Sequence, residues 1–148
     1  EIYDRHGAAS STTLGSEDDA IVLTHEQREK GRIRTHSNSG SEVRIFLERG
    51  QPLAVGELLS SQCGKKVRVQ GAVEPVVRAT CDDWERFSRA CYHLGNRHVK
   101  LQVGDRWLRI LPDHVLEDML QFLGLQIAHE EAVFEPESGA YKHGHHHH

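Results

Sequence analysis

Histidine is the residue type in excess: five of the 12 His occupy the last six positions, in the run His143-Gly144-His145-His146-His147-His148. Neutral imidazole binds Ni²⁺, Zn²⁺, Cu²⁺ and Co²⁺, and several imidazoles on a short polar stretch can wrap an ion reversibly without a preformed cavity. From composition alone an affinity tag and a native His tail look alike, although Gly144 inside the run favours a native one. A second group lies in Ala90-Cys91-Tyr92-His93-Leu94-Gly95-Asn96-Arg97-His98. On a continuing helix, residues five apart point about 140° away from each other. Gly95 is expected to stop the helix first, so that His98 opens the next strand and need not share a metal with His93. Asp113-His114 is a third candidate, for which helix capping and a solvated face are the ordinary reading. Cys91 falls on the apolar side of its helix, where a thiol is inert packing, whereas Cys81 precedes a helix start that could lower its pKa.

The rest of the inventory narrows the class. No P-loop, GxGxxG, HExxH or GxSxG string occurs, and no Cys/His arrangement looks like a nucleophile with its base, which points away from an enzyme. The net charge of -4 gives no basic field to hold nucleic acid. Cys63, Cys81 and Cys91 form no CxxC pair and are odd in number, so neither a disulfide framework nor a zinc knuckle is expected. Ala20 to Leu23 is the longest unbroken apolar run, too short for a bilayer span or a signal-peptide core, and the expectation is a cytoplasmic protein with no membrane partner.

An α+β chain has to position these groups. Gly7 to Asp19 reads as a polar loop. Ala20–Thr24, Arg32–His36 and Glu42–Leu47 read as strands, the last two joined as a hairpin through Ser37–Gly40. With Leu58-Leu59 and Lys66–Val69 they predict a small antiparallel β domain over residues 1–73. From residue 74 the pattern changes. Glu74–Thr80 is a strand; Asp82-Asp83 caps a helix carrying Trp84, Phe87, Ala90, Cys91 and Leu94. Val99–Val103 and Trp107–Leu111 alternate about a two-residue Gly104-Asp105 turn. Pro112 is placed at the first position of a second helix that Gly124 closes, and Leu125–Ala128 ends the set. Strand, helix, strand, strand, helix, strand over residues 74–134 is the ferredoxin-like βαββαβ plan. Residues 135–148 are expected to form a flexible His-rich tail.

The string from Ala90 through Val103, ACYHLGNRHVKLQV, resembles the signature of the urease accessory protein UreE family, which are nickel metallochaperones. The likeness extends to Leu23-Thr24, Gln27-Arg28, Arg32, Phe46-Leu47, Arg49-Gly50, the Pro112–Met119 helix start and Phe134–Tyr141, nearly the whole chain. It implies a homodimer whose N-terminal β domain is similar to chaperone peptide-binding domains, with Ni²⁺ as cargo and a urease accessory GTPase and the urease maturation complex as partners. It also implies that His98, from both subunits across the dimer axis, is the principal nickel ligand. His93, Cys81 and His114 match peripheral metal positions of some relatives, with Asp113 beside the last. Where some relatives carry a further His before the Asp-His pair this chain has Pro112, which counts against a second site there. Two imidazoles from two chains leave coordination positions open, as a carrier that must release its metal requires, and tail histidines can fill them. Intrinsic affinities put Cu²⁺ above nickel and Zn²⁺ near it, so both can compete. The alternatives are a metal buffer without a urease client, or a peptide-binding module whose metal affinity comes only from the tail.

Overall fold

The computed structural model describes residues 2–5, 19–47 and 51–138, and the chain divides between Ala72 and Val73 into two units. The first carries β1 (Ile2–Arg5), β2 (Asp19–Leu23), α1 (His25–Glu29), β3 (Arg32–His36), β4 (Glu42–Phe46), β5 (Leu58–Ser61) and β6 (Lys66–Gly71). Their alternation decides which face is core: Ile21, Leu23, Val43, Ile45, Leu59, Val67 and Val69 are sealed from solvent, while Val22 between Ile21 and Leu23 is exposed. The β3–β4 hairpin is present as expected, with Arg32 opposite Phe46 and His36 opposite Glu42.

Two features depart from an antiparallel, all-β unit. The strand order is β2-β6-β5-β1-β4-β3, and β1 with β4 and β2 with β6 run parallel. Turn residues announce hairpins, but these parallel partners lie far apart in sequence and nothing local marks them. The second departure is α1, a short helix in the stretch between Thr24 and Arg32 where no element was expected. Thr24 caps it, its hydroxyl accepting from the Gln27 N–H at 3.2 Å while Gln27 Oε1 accepts from the Thr24 N–H at 2.9 Å. That Thr-x-x-Gln capping box was present in the sequence.

The second unit contains β7 (Val73–Thr80), α2 (Trp84–Asn96), β8 (Gln102–Val103), β9 (Trp107–Ile110), α3 (His114–Phe122) and β10 (Gln126–Val133). Its sheet order is β10-β7-β9-β8 with every neighbour antiparallel, the interleaved ferredoxin-like arrangement. Phe87, Ala90 and Leu94 of α2 and Leu116 and Leu120 of α3 bury against Val77, Ala79, Leu108 and Ile110, so both helices cover one face.

Boundaries moved for physical reasons. Gly95 lies inside α2 and does not end it. The expected Val99–Val103 strand shrinks to Gln102–Val103, because the residues before it turn the chain out of the helix. The turn from β8 to β9 uses three residues, Gly104 to Arg106, with Arg106 at φ 62. A Cβ at position 104 would collide with the Trp107 ring, so glycine is required there. Pro112 precedes the α3 cap Asp113 instead of occupying the first helical position. β10 extends to Val133 because it pairs along all of β7, from Gln126 opposite Thr80 to Val133 opposite Val73. Beyond it the Glu135 N–H donates to Gln102 Oε1 at 3.1 Å and the Glu137 N–H to the Leu101 carbonyl at 2.7 Å, so the stretch expected to begin the tail starts out tethered. Among the described residues no helix is long and apolar enough to cross a membrane.

Candidate metal centre

The mount of the candidate centre is α2. Asp83 caps it by accepting the Glu85 N–H at 3.0 Å, and a Glu85–Arg89 pair at 2.8 Å spans its first exposed turn. The far end is closed by two reversed hydrogen bonds: the His98 N–H donates to the Gly95 carbonyl at 2.9 Å and the Val99 N–H to the Leu94 carbonyl at 3.1 Å. This pair of bonds is the Schellman motif, and it puts the residue after the C-cap in the left-handed region, where glycine usually sits. Here that residue is His98, with φ 59, following the C-cap Arg97. Histidine tolerates the left-handed region better than most side chains, yet it still carries strain that glycine would avoid. Leu94 is fully buried and Val99 packs on the same core, so the turn is clamped from inside while the His98 side chain is exposed.

The other candidates are distributed around this unit. His93 is exposed in the last turn of α2, its ring edge-on to Tyr92 with centroids 5.4 Å apart. Cys81 lies between β7 and α2, half-buried, its N–H donating to the Arg106 carbonyl at 3.2 Å. Cys91 is half-buried on α2, and burial raises its thiol pKa, which leaves it little thiolate for metal or for reaction. At α3, Asp113 Oδ1 is already engaged in accepting the Leu116 N–H at 3.1 Å, as the capping reading required. His114 is almost fully exposed, with Nε2 3.6 Å from Asp118 Oδ2. His143, His145, His146, His147 and His148 lie outside the described residues.

Among the described residues no three His, Cys, Asp or Glu side chains converge as a metal shell. One pairing was not foreseen: His129 Nε2 on β10 stands 2.7 Å from Glu117 Oε1 on α3, and Glu117 Oε2 accepts the Asp113 N–H at 3.0 Å. Only the adjacency of α3 and β10 joins these residues, so no local string could have disclosed it. Chemically, then, the unit presents one clamped, outward imidazole at the end of α2 and a looser set of secondary donors.

Comparison with known proteins covers both units. Residues 2–72 match the N-terminal domain, and residues 74–148 the C-terminal domain, of the UreE urease accessory protein family. A urease accessory protein UreE of Marinomonas sp. (strain MWYL1) is 61% identical over 148 residues, covering 100% of this chain and 99% of that relative. Proteins of the same description from Alteromonas mediterranea and Azotobacter vinelandii are 54% and 50% identical, covering 90% and 92% of this chain and 87% and 83% of their own lengths.

Proposed function

The chain belongs to the UreE urease accessory protein family, an accessory and not an enzymatic family, and we propose that it carries Ni²⁺ for assembly of the urease active site. The observation that carries the reading is His98: an exposed imidazole on a clamped helix end, in a left-handed conformation that the fold would sooner give to glycine. Strain kept at a solvent-facing side chain fits selection for chemistry better than selection for stability.

In this reading the chain is a homodimer, and His98 of each subunit supplies one imidazole to a metal on the two-fold axis. Two imidazoles hold a divalent ion without closing its shell, and the tail imidazoles from His143 to His148 complete the shell or give it up. Release to a partner then needs only ligand exchange at the open positions. The urease accessory GTPase is that acceptor, in the cytoplasm. The ferredoxin-like unit that begins at Val73 handles the metal, the β unit before it serves protein contacts, and the His143–His148 run gathers metal. His93, His114 and Cys81 are secondary donors, while Asp113 is reserved to capping. Because imidazole accepts Zn²⁺ and Cu²⁺ as well, both compete in vitro and selectivity comes from the partner.

Calorimetric titration tests this. Native protein is expected to bind Ni²⁺ in one tight class per dimer plus weaker classes, and His98→Ala to lose the tight class and keep the weaker ones. A tight class that survives His98→Ala overturns the assignment in favour of His93 or His114.

A further inference from the structure

The β3–β4 hairpin of the first unit carries a surface that nickel handling does not use. Its inner positions Ile33, Val43 and Ile45 are buried in the core. The outer positions are Arg32, Arg34 and His36 on β3 and Glu42, Arg44 and Phe46 on β4, paired across the ladder as Arg32 with Phe46, Arg34 with Arg44 and His36 with Glu42. Two arginines directly opposite each other on a solvated face destabilise a hairpin, and the fold does not require them there. Glu42 offsets the repulsion, with Oε2 at 2.6 Å from Arg34 Nε and Oε1 at 3.5 Å from Arg44 Nη2. Alone it leaves the patch net positive. Phe46 is 52% exposed, with the Arg32 guanidinium over its ring at 5.6 Å.

We infer that this outer hairpin face docks an extended acidic segment of a partner protein, its carboxylates taking the place of Glu42 on Arg34 and Arg44 and an apolar side chain covering Phe46. Charge complementarity commits the occupant. Arg32, Arg34, Arg44 and Phe46 are all exposed along the two strands, which suits a chain lying across them better than a small anion needing enclosure. The chain's net charge of -4 supplies no wider basic field for nucleic-acid phosphates. An exposed aromatic beside arginine is the composition of a protein-binding anchor. The inference rests on the reading of the β unit as the part that serves protein contacts, and does not depend on nickel binding.

The test uses the full-length, metal-free protein and fluorescence anisotropy. The probe is a short fluorescein-labelled peptide alternating Glu with Ala and carrying one Phe, compared with its Gln-for-Glu twin and with a labelled oligothymidylate. The Glu peptide is expected to bind with salt-sensitive affinity, and the Gln twin to bind about tenfold more weakly. Arg34→Ser with Arg44→Ser is expected to lose about tenfold while the circular dichroism spectrum is retained. Glu42→Gln removes the internal competitor and is expected to tighten binding several-fold; this arm decides alone if the double variant fails to fold. Failure of the Glu peptide to bind, unchanged affinity in the folded double variant, or weaker binding by Glu42→Gln overturns the inference. Tighter binding of the oligothymidylate than of the peptide also overturns it and identifies a nucleic-acid surface.

Discussion

His98 holds a backbone conformation that costs an L-residue about 1–2 kcal/mol relative to glycine. Glycine loosens the unfolded chain by about 0.4–1 kcal/mol, which offsets part of the relief. His98→Gly is therefore expected to raise stability by about 0.5–1 kcal/mol in urea unfolding while abolishing tight nickel binding. A protein that loses stability with glycine at this position would show that the His98 side chain belongs to the fold. The residue's identity as a candidate was legible in the GNRH string, but its conformation was not. Gly95 reads as a helix stop, whereas burying Leu94 and Val99 against the core fixes the reversal at His98.

At the scale of elements, caps and turns set where each candidate stands. Asp113 is the α3 cap, with φ -157 and its carboxylate on the Leu116 N–H. Asp113→Ala is expected to cost about 1 kcal/mol in thermal unfolding. Asp113→Asn, which can still accept that hydrogen bond, is expected to leave both stability and nickel stoichiometry near native; a lost ion in the Asn variant would make the carboxylate a ligand. In the first unit Asp19, at the start of β2, receives hydroxyl hydrogen bonds from Ser37 and Ser39, and these hold its carboxyl below the ordinary value of 3.8. A depressed carboxylate contributes stability that is present above its unfolded pKa and lost as pH falls through the folded one. Urea unfolding between about pH 5 and 2 is therefore expected to weaken with acid more steeply in the native chain than in Asp19→Asn. Equal slopes would remove Asp19 from the account. The hairpin turn that Asp19 grips was readable from Ser37-Asn38-Ser39-Gly40, but the grip was not, because it joins residues 20 apart in sequence. The Thr24–Gln27 capping box is legible in the sequence as Thr-x-x-Gln, but the apolar run before it reads as strand and masks the helix start. The full length of β10 was not readable, since Glu130 and Glu131 look like the end of a strand until β7 is seen beside them.

For the whole molecule, the ferredoxin-like order followed from periodicity switching between two and helical spacing, the strongest signal a single sequence carries. The proposed metal centre is not legible in local pattern, because among the described residues no three His, Cys, Asp or Glu side chains converge. If a second subunit completes the site, metal binding and self-association are one equilibrium, and each must strengthen the other by mass action. The most direct test is sedimentation equilibrium of dilute protein lacking residues 143–148, with and without Ni²⁺, beside the same protein carrying His98→Ala. The account predicts that Ni²⁺ tightens dimerisation of the parent, with one ion per dimer, and leaves the His98→Ala dimer constant unchanged. A dimer constant insensitive to Ni²⁺ in the parent, or equally sensitive in the His98→Ala protein, would contradict a metal site shared through His98.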